Sequence, residues 1–100
     1  MKYIVSVRGM LKAADEQQSR ATHDATIQQI GAMGRSMGNV GHRAYLNPQN
    51  RREFLAIDVW DNLEGPQKLL ADPNLGAEFA KLFDGQPQVT IWEDAGWEAW

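Results

Sequence analysis

The sequence predicts an α+β domain: strand, helix, strand, strand, helix, strand, with one four-stranded antiparallel sheet and its helices on one face. Three observations carry this. Tyr3-Ile4-Val5-Ser6-Val7-Arg8 and Pro87 to Glu93 read as strands near the two ends of the chain. Val40 to Leu46 and Glu53 to Trp60 flank Asn47-Pro48-Gln49-Asn50, a turn by composition, and so form a hairpin. Helical periodicity fills the two intervals that remain.

The first strand is rich in β-branched and aromatic residues and closes at Gly9. Tyr3, Val5 and Val7 make one wholly apolar face, whereas Ile4, Ser6 and Arg8 make a mixed one, as expected of a central strand with something packed on both sides. From about Asp15 to Ser36 the period changes. Ile27, Ile30, Gly34 and Met37 fall on one helical face, and one turn back from Ile27 puts His23 on the same stripe. Gly34, Gly38 and Arg35 suit the end of that helix.

The hairpin register decides which side chains share a face, and a slip of one residue exchanges them all. The expected register places Leu55, Ile57 and Val59 with Val40, His42, Ala44 and Leu46 toward the helices. Arg43 and Tyr45 then share the other face with Phe54, Ala56, Asp58 and Trp60. After Trp60, Asp61 with Glu64 three residues on offers a capping box. Asp72-Pro73 then breaks the helical stretch, Asp72 as a cap and Pro73 as the first helical residue. Leu75, Phe79, Leu82 and Phe83 form the apolar stripe of the second segment, which Gly85 is expected to end.

Composition narrows the function. One hundred residues, 43% hydrophobic and 23% charged, fit one domain over residues 1–100 with its own core. The absence of cysteine excludes a disulfide framework, thiol catalysis and cysteine-ligated zinc. A net charge of -3, with no basic cluster beyond Arg51-Arg52, argues against nucleic-acid binding. Met1-Lys2 leads straight into a strand-like run, with no signal-peptide pattern and no membrane span, so a cytoplasmic location is expected.

Two helices cover one face of the sheet and leave the other, with Phe54, Ala56, Trp60 and Ile4 in the expected register, as an association surface. A homodimer packed sheet against sheet is therefore expected. Trp92, Trp97 and Trp100 crowd the end of the chain, where burial against the partner or over a cleft would shield them.

The opening Met1-Lys2-Tyr3-Ile4-Val5-Ser6-Val7, and above all Phe54-Leu55-Ala56-Ile57-Asp58-Val59-Trp60-Asp61 followed by Asp72-Pro73, resemble the antibiotic-biosynthesis monooxygenase family. The resemblance implies a ferredoxin-like protomer and a dimeric α/β barrel closed by two sheets. It marks a superfamily better than an activity. Some members are cofactor-free oxygenases acting on phenolic polycyclic substrates in a cleft between helices and sheet. Such chemistry needs an acceptor for the phenol proton, donors near the developing oxyanion and a water-poor cleft. No cofactor is called for. A haem-degrading branch uses an asparagine, a tryptophan and a histidine where this chain aligns Val7, Leu69 and Phe79, so that set is missing.

His23 and His42 are the only side chains whose unperturbed pKa lies near neutrality, and both are expected in the helix–sheet layer. One is the candidate base and the other the candidate oxyanion donor; the plainer alternative is a pair of core-edge histidines bonded to backbone. Trp60 and Asp58 are candidate substrate-binding residues, against the alternatives of an interface anchor and a pair with Arg43 across the hairpin. Tyr45 is a further candidate donor. The glycine-rich run from Gly34 to Gly41 follows a helix and opens a strand, the reverse of a dinucleotide fingerprint. A two-histidine iron site with Asp24 or Asp58 lacks local ligand spacing. Three functions remain: an oxygenase acting on a hydrophobic aromatic or polyketide-like substrate, an isomerase, cyclase or dehydratase using the same histidines, and a dimeric binding module.

Overall fold

The computed structural model describes residues 2–100; Met1, the first residue of the opening motif, lies outside the described residues. The elements are β1 (Tyr3–Leu11), α1 (Glu16–Ser36), β2 (Asn39–Asn47), β3 (Asn50–Trp60), α2 (Glu64–Ala71), α3 (Pro73–Leu82) and β4 (Phe83–Glu93). The strands form one antiparallel sheet in the order β2-β3-β1-β4, so the central pair is β1 and β3. This is the ferredoxin-like arrangement, with the second helical stretch divided at Asp72-Pro73.

Local chemistry sets the helix ends. Asp15 caps α1 by accepting from the Gln17 N–H at 2.9 Å, and Gly38 turns the chain out of the helix with φ of 108°. At α3, Asp72 accepts from the Asn74 N–H at 2.9 Å and Pro73 stands in the first turn, as the sequence indicates. The expected Asp61 cap does not form. Asn62 takes the role instead, its Oδ1 accepting from the Gly65 N–H at 2.6 Å while its Nδ2 donates to the Met37 carbonyl at 2.9 Å. One amide thereby ties the start of α2 to the end of α1. Nor does the last helix reach Gly85. It stops at Leu82, and Phe83 already pairs with Leu11, because Phe83 buries better as a strand residue at the edge of the core.

The largest correction concerns the hairpin. His42 pairs with Asp58, Ala44 with Ala56 and Leu46 with Phe54, one residue out of the expected register. Phe54, Ala56, Asp58 and Trp60 therefore face the helices, while Leu55, Ile57 and Val59 face away with Arg43 and Tyr45. A register shift between Asn39 and Gly41, at exposed Val40, changes the parity of β2. Asp58 accordingly meets His42 and not Arg43, and Trp60 is a core residue at 2% exposure and not an anchor on the outer face.

Val5, Val7, Leu11, Phe54, Ala56, Trp60, Leu82 and Phe83 form the buried cluster between sheet and helices. Burying a side chain such as Phe54 contributes about 1.5–3 kcal/mol. Gly65 lets α2 approach: a Cβ there would collide with the Met37 carbonyl oxygen and touch the Trp60 ring. The opposite face of the sheet carries Ile4, Leu55, Ile57, Val59 and half-exposed Trp92 with no element over it among the described residues. The tail beyond Glu93 has no regular structure, and Trp97 and Trp100 are exposed. Among the described residues no helix is long and apolar enough to cross a membrane.

Candidate active site

A cavity of about 120 Å³ lies between the helices and the inner face of the sheet. Val5, Val7, Ile27, Ile30, Phe54 and Ala56 give it apolar walls. An engineered cavity of about 150 Å³ with similar lining holds benzene, so this one has room for about one aromatic ring. His23, His42, Asp58 and Trp60 all border it. Tyr45 does not, because in the observed register it points to the other face, opposite Leu55.

His23 reaches the cavity from α1, one turn before Ile27, and His42 reaches it from β2 opposite Asp58 on β3. The two rings meet tip to tip. Their Nε2 atoms are 2.9 Å apart, the centroids 5.1 Å apart and the planes inclined by 21°, so both nitrogens lie close to the line joining the rings. His42 Nδ1 lies 2.7 Å from Asp58 Oδ1, and His23 Nδ1 lies 2.9 Å from Asp24 Oδ1. Three hydrogen bonds thus link Asp58, His42, His23 and Asp24 in a single file. The inner three side chains are between 18% and 23% exposed, whereas Asp24 is 57% exposed, so the file runs from the cavity wall to the surface.

The file answers the plainer alternative for the histidines: neither is bonded to backbone, and both ring nitrogens of each are engaged by side chains. It also answers the proposed iron site. Each Nε2 is directed at the other ring, and among the described residues no group of three or more histidine, cysteine, aspartate or glutamate side chains could hold a metal ion.

Trp60 also borders the cavity. Its Nε1 is buried and has no hydrogen-bond partner. A buried indole N–H ordinarily finds an acceptor, so this one is an exception among the buried polar groups. Gly34 on α1 and Gly65 on α2 both abut the Trp60 ring, so two helix ends fix its position. Val7, Leu69 and Phe79 also border the cavity and add to its apolar wall.

Sequence reasoning named Asp24 only as a possible iron ligand beside the histidines and missed Glu78 and Arg35 as site residues. Glu78 is buried on α3, borders the cavity and pairs with Lys81 at 2.8 Å; Arg35 borders it from the last turn of α1. The adjacency of His23 and Asp24 was the one available signal. Nothing in the helical pattern distinguishes Glu78 from its solvated neighbours.

No family model matches the sequence, and no curated protein matches it. Solved structures do. A variant of SnoaB, a cofactor-independent oxygenase from Streptomyces nogalater, is 15% identical with a TM-score of 0.69, over 94% of this chain and 93% of that one. A Bordetella bronchiseptica protein provisionally named an antibiotic biosynthesis monooxygenase is 11% identical with a TM-score of 0.74, over 94% and 97%. A Nitrosomonas europaea protein of unknown function is 19% identical with a TM-score of 0.62, over 98% and 93%. At these identities the likeness is one of fold, the fold that the sequence resemblance implies.

Proposed function

We propose that this chain is a small cofactor-independent, monooxygenase-like enzyme that binds a hydrophobic aromatic ligand in the cavity and removes its phenolic proton. The observation that supports it is Asp58, hydrogen-bonded to His42 on the wall of a mostly apolar cavity. A catalytic base must lie within hydrogen-bond reach of the proton that it takes. His42 has no nitrogen to spare, since Nδ1 faces Asp58 and Nε2 faces His23. The role of base therefore falls to the second carboxylate oxygen of Asp58, with His42 donating to the first. Trp60 Nε1 donates to the oxygen of the ring as negative charge develops there. The resulting phenolate is electron-rich and gives an electron to dioxygen, the co-substrate.

The volume bears on the substrate. Space for about one ring means that a polycyclic ligand places its reacting ring inside and the remainder at the mouth. Oxygen uptake with 1-naphthol as a probe tests the oxygenase. Uptake above the autoxidation rate, lost in Asp58→Asn, is the expected result; ionisation of the probe without uptake points to the isomerase, cyclase or dehydratase class, using the same residues.

A second copy of the chain is the proposed partner. The face bearing Ile4, Leu55, Ile57, Val59 and Trp92, with Ser6, Arg43 and Thr90 among them, presents apolar side chains that a second sheet would cover. The exposed Trp97 and Trp100 would then lie against the partner or over its cavity mouth.

A further inference from the structure

His23 borders two cavities. Beyond it, away from the main one, lies a second of about 260 Å³, bounded by Glu16, Ser19, Arg20, Asp24 and Leu46. Phe54 stands with His23 between the two. Ser19 Oγ is buried there without a hydrogen-bond partner, the residue being 4% exposed. Glu16, Arg20 and Asp24 around it are exposed, so this second cavity opens to water.

From this we infer that Asp58, His42, His23 and Asp24 are a proton relay between the ligand cavity and water, with the second cavity as its outlet. The relay rests on the proposed role of Asp58.

Proton counting gives the mechanism. Each Nδ1 faces a carboxylate and carries a proton toward it. Two Nε2 atoms at 2.9 Å cannot both present lone pairs, nor both present N–H groups, so one proton lies between them. The four ring nitrogens thus hold three protons. When the ligand hydroxyl gives its proton to the free oxygen of Asp58, the shared proton moves wholly onto His23 Nε2. The His23 Nδ1 proton passes to Asp24 and then to water. One proton enters at the inner end and one leaves at the outer end. The ligand becomes anionic, and the relay keeps its net charge. Afterwards His42 still donates to Asp58 and still accepts from His23. The only contact left with facing lone pairs is the one to Asp24, which is free to rotate because it is exposed.

Charged groups lie at both ends of the file. Arg20 Nε lies 3.8 Å from Asp24, and Glu16, engaged by Arg51, borders the outlet. On the cavity side the charged groups are Glu78, paired with Lys81, and Arg35. Asp24 is thus a positioning and outlet residue that never touches the ligand.

The test uses the free protein labelled with ¹⁵N in histidine. The expected result is scalar coupling between His23 Nε2 and His42 Nε2 across the shared proton. Asp24→Asn should leave that coupling in place and slow exchange of the shared proton with water about tenfold or more. Absence of the coupling, or exchange that Asp24→Asn leaves unchanged, overturns the relay. Failure of the proposed enzyme function would register elsewhere, in a phenol probe that never ionises on binding.

Discussion

His23 and His42 come from a helix and from an edge strand, nineteen residues apart, and their Nε2 atoms meet at 2.9 Å. The contact joins α1 to the hairpin at the wall of the cavity. It also fixes what each residue beside it has left to offer a ligand.

Trp60→Phe isolates the indole N–H while keeping an aromatic ring. Loss of one neutral hydrogen bond corresponds to about 0.5–1.5 kcal/mol, so affinity for a phenol probe should fall about threefold to tenfold. Isothermal titration with 1-naphthol measures it. Equal affinities would mean that Nε1 plays no part in binding.

Gly65→Ala forces a Cβ against the Met37 carbonyl oxygen and the Trp60 ring. Overpacking of this kind costs about 1–3 kcal/mol. Urea denaturation should show a lowered midpoint with an unchanged slope, and an unshifted midpoint would mean that α2 sits further from α1 than described.

Much of this was legible in the sequence, and the residues show why. Asp72-Pro73 starts a helix through its own side chain and ring, so its effect is local and readable. The hairpin register is not local. Both faces of β3 are apolar, Phe54, Ala56 and Trp60 on one and Leu55, Ile57 and Val59 on the other, so alternation alone does not say which is buried. His42 was placed in the right layer with the wrong neighbours, and Asp58 became its partner only once the bulge at Val40 was visible. The outlet beside Ser19 and Asp24 exists only through tertiary packing.

Glu53 offers a pH signature. Asn47 and then Arg8 donate to its carboxylate and hold it below the ordinary glutamate value of 4.5. Its contribution to stability is present above pH 4.5 and is lost as pH falls through the lowered value. Thermal melts of Glu53→Gln should therefore run parallel to the parent above pH 5 or so and show a shallower acid decline below it. An identical acid limb in both proteins would contradict the assignment.

The outer face predicts association. Ile57→Lys places a charge at the centre of the proposed sheet-to-sheet contact, on the far side of β3 from the cavity. Analytical ultracentrifugation should show a dimer for the parent and a monomer for the variant; a parent that is monomeric at micromolar concentration would remove the interface. Deleting Gly96 to Trp100 should weaken the same dimer or widen the cavity mouth.

The central claim is that Asp58, backed by His42, takes a proton from a phenol in the cavity. The most direct measurement is the visible spectrum of 4-nitrophenol, whose ionised form is yellow, titrated with the protein at a pH where the free probe is largely neutral. The account predicts a phenolate band that grows with saturation, is abolished in Asp58→Asn and is weakened in His42→Ala, with binding retained in both. A probe that binds and stays neutral, or a band that Asp58→Asn leaves intact, would contradict it.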